Sequence, residues 1–176
     1  MSPKLQPLWQ QLEKNRLELF KKLDGIDPSV LNRKPAPDKW SVNQVLFHLI
    51  EAEGGSMRYI QKKLSFGTDI PKAGFRSAWR RFLLRVAFWL PIKFKAPKVF
   101  SPMPETHDYT TLRAHYAAQR IDLQRFLDEL PDHLLDTELW KHVLAGKMTV
   151  LQMVDFMDDH FRRHRGQIER TLRQVG

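Results

Sequence analysis

His160 and His164 stand one helical turn apart in the stretch DDHFRRHRGQIERTL, residues 158–172. Imidazoles at that spacing start from Cβ atoms about 5–6 Å apart and can close on one cation at metal–nitrogen distances of about 2.0–2.1 Å. Spacing alone proves little, because seven histidines in 176 residues produce such a pair by chance in about 0.3 of sequences of this composition. Position says more. At about 100° per residue, both rings share a helix face with Met153, Met157 and Ile168, the side that should pack inward, while Asp159 and Arg163 point elsewhere.

Two ligands from one helix leave a metal site short of its usual three, so another element must supply the third. His48 is the candidate, at the margin of an apolar stripe and in line with small residues, Ser41, Ala52 and Gly55. Buried imidazoles without partners would cost about 1–3 kcal/mol per unsatisfied group, a penalty that coordination offsets. Three neutral histidines leave a divalent ion its full charge and an open position, the layout of a catalytic rather than a closed structural site. Zinc, nickel and iron all accept imidazole. The text His160-Phe-Arg-Arg-His164 lacks the Glu general base of the His-Glu-x-x-His proteases. Glu53 and Gln119 lie on inward stripes and are the candidates to line the cleft, Glu53 as a catalytic carboxylate and Gln119 as a binding side chain. An ion pair between Glu53 and an arginine is the competing expectation.

Four segments carry the helical periodicity needed to position these residues. The first, about 4–24, repeats Leu5, Trp9, Leu12, Leu19, Phe20 and Leu23 at three- and four-residue steps. The second opens at Ser41-Val-Asn-Gln44, a capping box in which the Ser hydroxyl and Gln amide satisfy orphan backbone N–H groups, and it runs to about residue 66. The third covers about 109–130, and the fourth opens at a second capping box, Thr149-Val-Leu-Gln152, and continues to the C-terminus. Nothing alternates with period two over a useful length, so no sheet is expected. The sequence predicts one all-α domain over residues 1–176, a four-helix bundle with a long crossover at about 66–107 between its second and third helices. AGKMT at 145–149 reads as the turn before the last helix.

That crossover makes the protein basic. Residues 70–104 hold eight basic side chains and no acidic one, against a net charge of +9 for the chain. Within it, residues 75–90 place Phe75, Trp79, Phe82, Val86, Trp89 and Leu90 on one side and several arginines on the other. Covering the bundle or pairing two subunits is the expected role of that apolar side, and peripheral membrane contact the alternative. No run is long and apolar enough to span a membrane, and the N-terminus lacks the apolar core of a signal peptide, which predicts a soluble, cytoplasmic protein. The absence of cysteine excludes disulfides, thiolate ligands and a cysteine nucleophile. Gly-x-Ser-x-Gly and Gly-x-Gly-x-x-Gly are also missing, which leaves a nucleophile elbow or dinucleotide loop without support.

Trp40-Ser41-x-x-Gln44-Val45-Leu46-x-His48-Leu49, together with His160-x-x-x-His164-x-Gly166-Gln167-Ile168, resembles the DinB/YfiT-like proteins, closely over about 40–60 and 149–173. Gln44 stands where relatives often have Glu. The resemblance implies a four-helix bundle in which His48, His160 and His164 bind a divalent metal in a cleft, and a homodimer. It also implies metal-dependent chemistry on a small-molecule substrate, in the first place transfer of a thiol to an electrophile, with hydrolysis by metal-bound water as the alternative. With no cysteine in the chain, a thiol nucleophile must arrive as a low-molecular-weight cosubstrate. The contrasting class is a non-enzymatic bundle whose basic helix binds membrane, nucleic acid or protein; no motif specifies nucleic acid.

Overall fold

The computed structural model describes residues 1–90 and 103–176, so Lys93, Lys95 and Lys98 of the basic crossover lie outside the described residues. Four long helices form the body: α1 (Gln6–Leu23), α3 (Val42–Leu64), α5 (Tyr109–Glu129) and α6 (Val150–Val175). Both capping boxes form, with Ser41 and Thr149 accepting from the backbone N–H of Gln44 and Gln152, whose side chains reach back to the cap backbone. α1 packs chiefly on α6, and α3 on both α5 and α6. The long crossover therefore joins two helices that are neighbours, and α6, the last helix, packs back on the first.

Between them sit shorter elements. α2 (Pro28–Asn32) lies between α1 and α3, capped by the Asp27 side chain on Ser29 N–H. A β-hairpin, β1 (Trp140–His142) and β2 (Gly146–Met148), pairs Trp140 with Met148 and His142 with Gly146. The expectation of no sheet fails here, and AGKMT is its return strand rather than a simple turn. Three-residue strands are too short to show alternation; burial of Trp140 and Met148 holds them instead. Gly146 starts β2 at φ 86°, the left-handed geometry that a three-residue hairpin loop requires.

The packing stripes close into two apolar clusters. One gathers Leu5, Trp9, Leu12, Ile60, Leu127 and Met157, and the other Leu19, Leu46, Leu49, Tyr116, Phe161 and Ile168. Between these stretches of each long helix lie buried polar residues: Asn15 and Arg16 on α1, Glu53 on α3, Gln119 and Arg120 on α5, Asp158 on α6. Asn15 Nδ2 donates to Asp158 Oδ1 at 2.5 Å, joining α1 to α6. A polar layer thus crosses the bundle, and the histidines of α3 and α6 lie next to it in sequence.

The crossover helix, α4 (Phe75–Trp89), lies on α6 and β2 with the opposite face to the one expected. Ser77, Arg81 and Leu84 are buried, whereas Phe75 and Trp89 are 81% and 84% exposed. Electrostatics chooses the face. Arg81 reaches Asp155 and Asp159 at 2.8 and 2.5 Å, and Arg85 reaches the same carboxylates at 2.7 and 3.3 Å. Ser77 Oγ donates to Gln152 Oε1 at 2.5 Å, and Arg163 Nη1 donates to the carbonyl of Phe88 at 2.8 Å. α4 does cover the bundle, but through Ser77, Arg81, Leu84 and Phe88 rather than through its aromatic row.

Candidate metal centre

α6 presents His160 and His164 one turn apart, and α3, packed against it, presents His48. His160 Nε2 lies 3.3 Å from His48 Nε2 and 3.1 Å from His164 Nε2. Two nitrogens bound to one tetrahedral ion at about 2.0–2.1 Å stand about 3.3–3.4 Å apart, so these separations fit shared coordination. Ligand atoms of all three histidines lie within 4.8 Å of one another.

Proton counting supports the fit. His164 Nδ1 donates to Gln167 Oε1 at 2.9 Å, which leaves its Nε2 as a lone pair aimed at His160. His160 has a single Nε2 and cannot donate to both neighbours. A cation accepts every lone pair at once. Burial lowers the His48 pKa to about 4 and that of His164 to about 3, with neighbouring positive charge adding to the effect at His164. His160 is pushed well below its ordinary value by burial and by the other imidazoles. All three are therefore neutral at pH 7, the form that ligates.

Aromatic rings wall the site. Phe156 stacks on His160 at 5.5 Å, Trp40 lies 5.2 Å from His48, and Phe88 of α4 lies 6.0 Å from His160. The Arg81 and Arg85 pairs thus hold one wall of the site in place. Beyond Phe156, at 4.7 Å, lies His142 of β1. Its Nδ1 accepts from the N–H groups of Leu144 and Ala145 at 3.3 and 3.1 Å, and burial lowers its pKa from 6.5 to about 4. The metal-free fold should lose stability as pH falls from about 6.5 towards 4, because the unfolded chain takes up those protons first. Urea melts across that range, with and without metal, measure the loss. A flat profile would contradict it.

A sequence model of the DinB superfamily matches residues 11–168. The chain belongs to the DinB superfamily. An uncharacterized protein, YuaE of Bacillus subtilis strain 168, is 24% identical over 160 residues, covering 91% of this chain and 94% of that protein. Among solved structures, YfiT from Bacillus subtilis, described as a probable metal-dependent hydrolase with an unusual four-helix bundle topology, aligns at TM-score 0.67 and 19% identity. That alignment covers 100% of this chain and 90% of YfiT. A conserved protein from Enterococcus faecalis aligns at TM-score 0.62 and 18% identity over 99% of this chain and 98% of its own. The DinB four-helix-bundle fold expected from the sequence is the fold observed.

The other two cleft candidates of this DinB chain lie in the polar layer. Glu53 is buried, accepts from the Tyr116 hydroxyl at 2.6 Å and pairs with Arg120 at 3.0 Å. Burial pushes its carboxyl up, opposed chiefly by the Arg120 charge. Gln119 Nε2 donates to the Ile50 carbonyl at 3.0 Å, and its Oε1 would stand 2.7 Å from a Cβ at residue 54, so Gly54 permits this close approach of α5 to α3. Their hydrogen bonds go to Tyr116, Arg120 and Ile50 rather than to a ligand histidine. Ala52 and Gly55, on the His48 side of α3, are half-buried, and a Cβ at residue 55 would meet only Arg58, at 3.9 Å. Sequence reasoning gave no role to Phe88, Phe156 or His142. Phe156 could have been found as the residue one turn before His160.

Proposed function

We propose that this protein is a metal-dependent hydrolase acting on a small electrophilic substrate at His48, His160 and His164. The gathering of three imidazoles, with His160 Nε2 at 3.3 and 3.1 Å from those of His48 and His164 and the His164 proton fixed on the far nitrogen by Gln167, is the observation that carries the reading. A divalent ion there supplies Lewis acidity, polarising a substrate oxygen and acidifying a water. The chain's own part is positioning: Gln167 orients His164, and Phe156, Phe88 and Trp40 give the site apolar walls. The description of YfiT as a probable metal-dependent hydrolase supports the same class of chemistry.

Transfer of a low-molecular-weight thiol uses the same ligands and differs only in the nucleophile. The absence of cysteine in the chain requires that thiol to be added. A panel of ester, amide and epoxide substrates, assayed after chelation and after return of zinc, nickel or iron, tests both. Turnover that needs metal and no thiol is the expected result. Turnover only with added thiol replaces hydrolysis with transfer, and turnover unaffected by chelation and by His48→Ala overturns the reading.

A further inference from the structure

The outward face of α4 is a surface feature that a metal hydrolase does not need. Phe75, Trp79 and Phe82 form a continuous aromatic row, with ring centroids 6.5 and 5.5 Å apart. Trp79 and Phe82 are 50% and 54% exposed, and Val86 and Trp89 extend the row to the end of the helix. An aromatic row of this length left in water opposes the hydrophobic effect, and α4 accepts it because its arginines are anchored to Asp155 and Asp159. Beside the row, Lys72, Arg76 and Arg80 pair with no carboxylate among the described residues, and residues 72–90 contain no acidic side chain. Arg80 Nη1 donates to the Lys147 carbonyl at 3.3 Å, which brings the β-hairpin alongside. The hairpin tip adds Val143 and Leu144, 67% and 68% exposed, flanked by exposed Lys141 and Lys147.

We infer that this surface docks on an anionic phospholipid bilayer, with α4 lying in the interfacial plane. Tryptophan and phenylalanine rings fit the boundary between headgroups and acyl chains, and the cations beside them meet lipid phosphates. A second copy of this chain is a poorer occupant. Pairing the same patch with itself sets its cations, Arg76, Arg80, Lys141 and Lys147, against one another. Nucleic acid would use the cations and leave the aliphatic part of the row and the hairpin tip in water. No helix among the described residues is long and apolar enough to cross a membrane, so the contact is peripheral. The metal site is not involved, and the inference stands or falls apart from the hydrolase reading.

Co-sedimentation of the full-length protein with phosphatidylcholine vesicles, with and without phosphatidylglycerol, tests it. Binding should require phosphatidylglycerol, weaken with salt and shift tryptophan emission to the blue. Trp79→Ser with Phe82→Ser should weaken partitioning about tenfold or more, from the lost apolar insertion. Lys72→Glu with Arg76→Glu should do the same through charge. Both pairs lie on exposed positions, and unchanged far-UV circular dichroism and metal content verify the fold. Equal binding to neutral vesicles, no vesicle binding, or binding unaffected by either pair would overturn the inference. So would duplex DNA binding, or a dimer dispersed by Trp79→Ser, in a protein that ignores vesicles.

Discussion

Replacing His160 with methionine should abolish metal binding and, in the same protein, raise the stability of the metal-free fold. His160 sits between two other imidazole nitrogens at 3.3 and 3.1 Å, and the one on His164 is a lone pair. Without a cation, His160 Nε2 carries at most one proton and cannot serve both neighbours, so one of the two close N···N contacts is not a hydrogen bond. Such a desolvated, unsatisfied group costs about 1–3 kcal/mol. Methionine fills the space between Phe156 and Phe88 with a flexible apolar chain and carries no such penalty. The melting temperature of the chelated variant should therefore exceed that of the chelated parent by several degrees, at about 2–4 °C per kcal/mol for a chain of this size. Zinc at about a thousand times its dissociation constant adds about 4.1 kcal/mol to the parent and nothing to the variant, so the order reverses. Calorimetry with and without chelator, beside elemental analysis, reads both effects. A histidine kept only for its hydrogen bonds predicts the opposite: a loss on substitution, with no dependence on metal.

The histidines of α6 were legible because a helix that long, with both a capping box and an apolar stripe, has only one inward face, and that face contains them. His48 was harder, since a single imidazole at the edge of a stripe has several ordinary explanations; its small neighbours and the resemblance brought it forward. The face of α4 was not legible. Periodicity shows that a helix has an apolar side, but not which side docks, and here the decision belongs to Asp155 and Asp159, some seventy residues from Arg81 and Arg85. The hairpin escaped for a different reason: its order comes from burial of Trp140 and Met148 against elements distant in sequence, which a three-residue strand cannot announce. The polar layer is a third case. The sequence offers an ion pair between Glu53 and an arginine, but that Arg120 supplies it, in one layer with Asn15 and Asp158, emerges only when the helices are placed side by side.

Glu53→Ala should destabilise the fold by about 3–5 kcal/mol, because it strands the Arg120 guanidinium in the interior. Arg120 is among the largest fully buried side chains; its charge rests on Glu53 at 3.0 Å, on Glu13 at 3.9 Å, and on the faces of Tyr116 and Trp9 at 5.1 and 5.9 Å. Loss of the nearest carboxylate leaves the weaker contacts to hold it. The pair itself is imperfect: Glu53 Oε2 and Arg120 Nε are buried without hydrogen bonds. An ion pair so incompletely satisfied repays little of its desolvation, so Glu53→Leu combined with Arg120→Met should recover most of the loss and can exceed the parent. Denaturant melts of Glu53→Leu, Arg120→Met and the double give the coupling directly. The same cycle decides what Glu53 does. If it only holds Arg120, the double variant binds metal and turns over substrate like the parent; if its carboxylate moves a proton at the metal centre, the double variant is stable, metal-loaded and inactive.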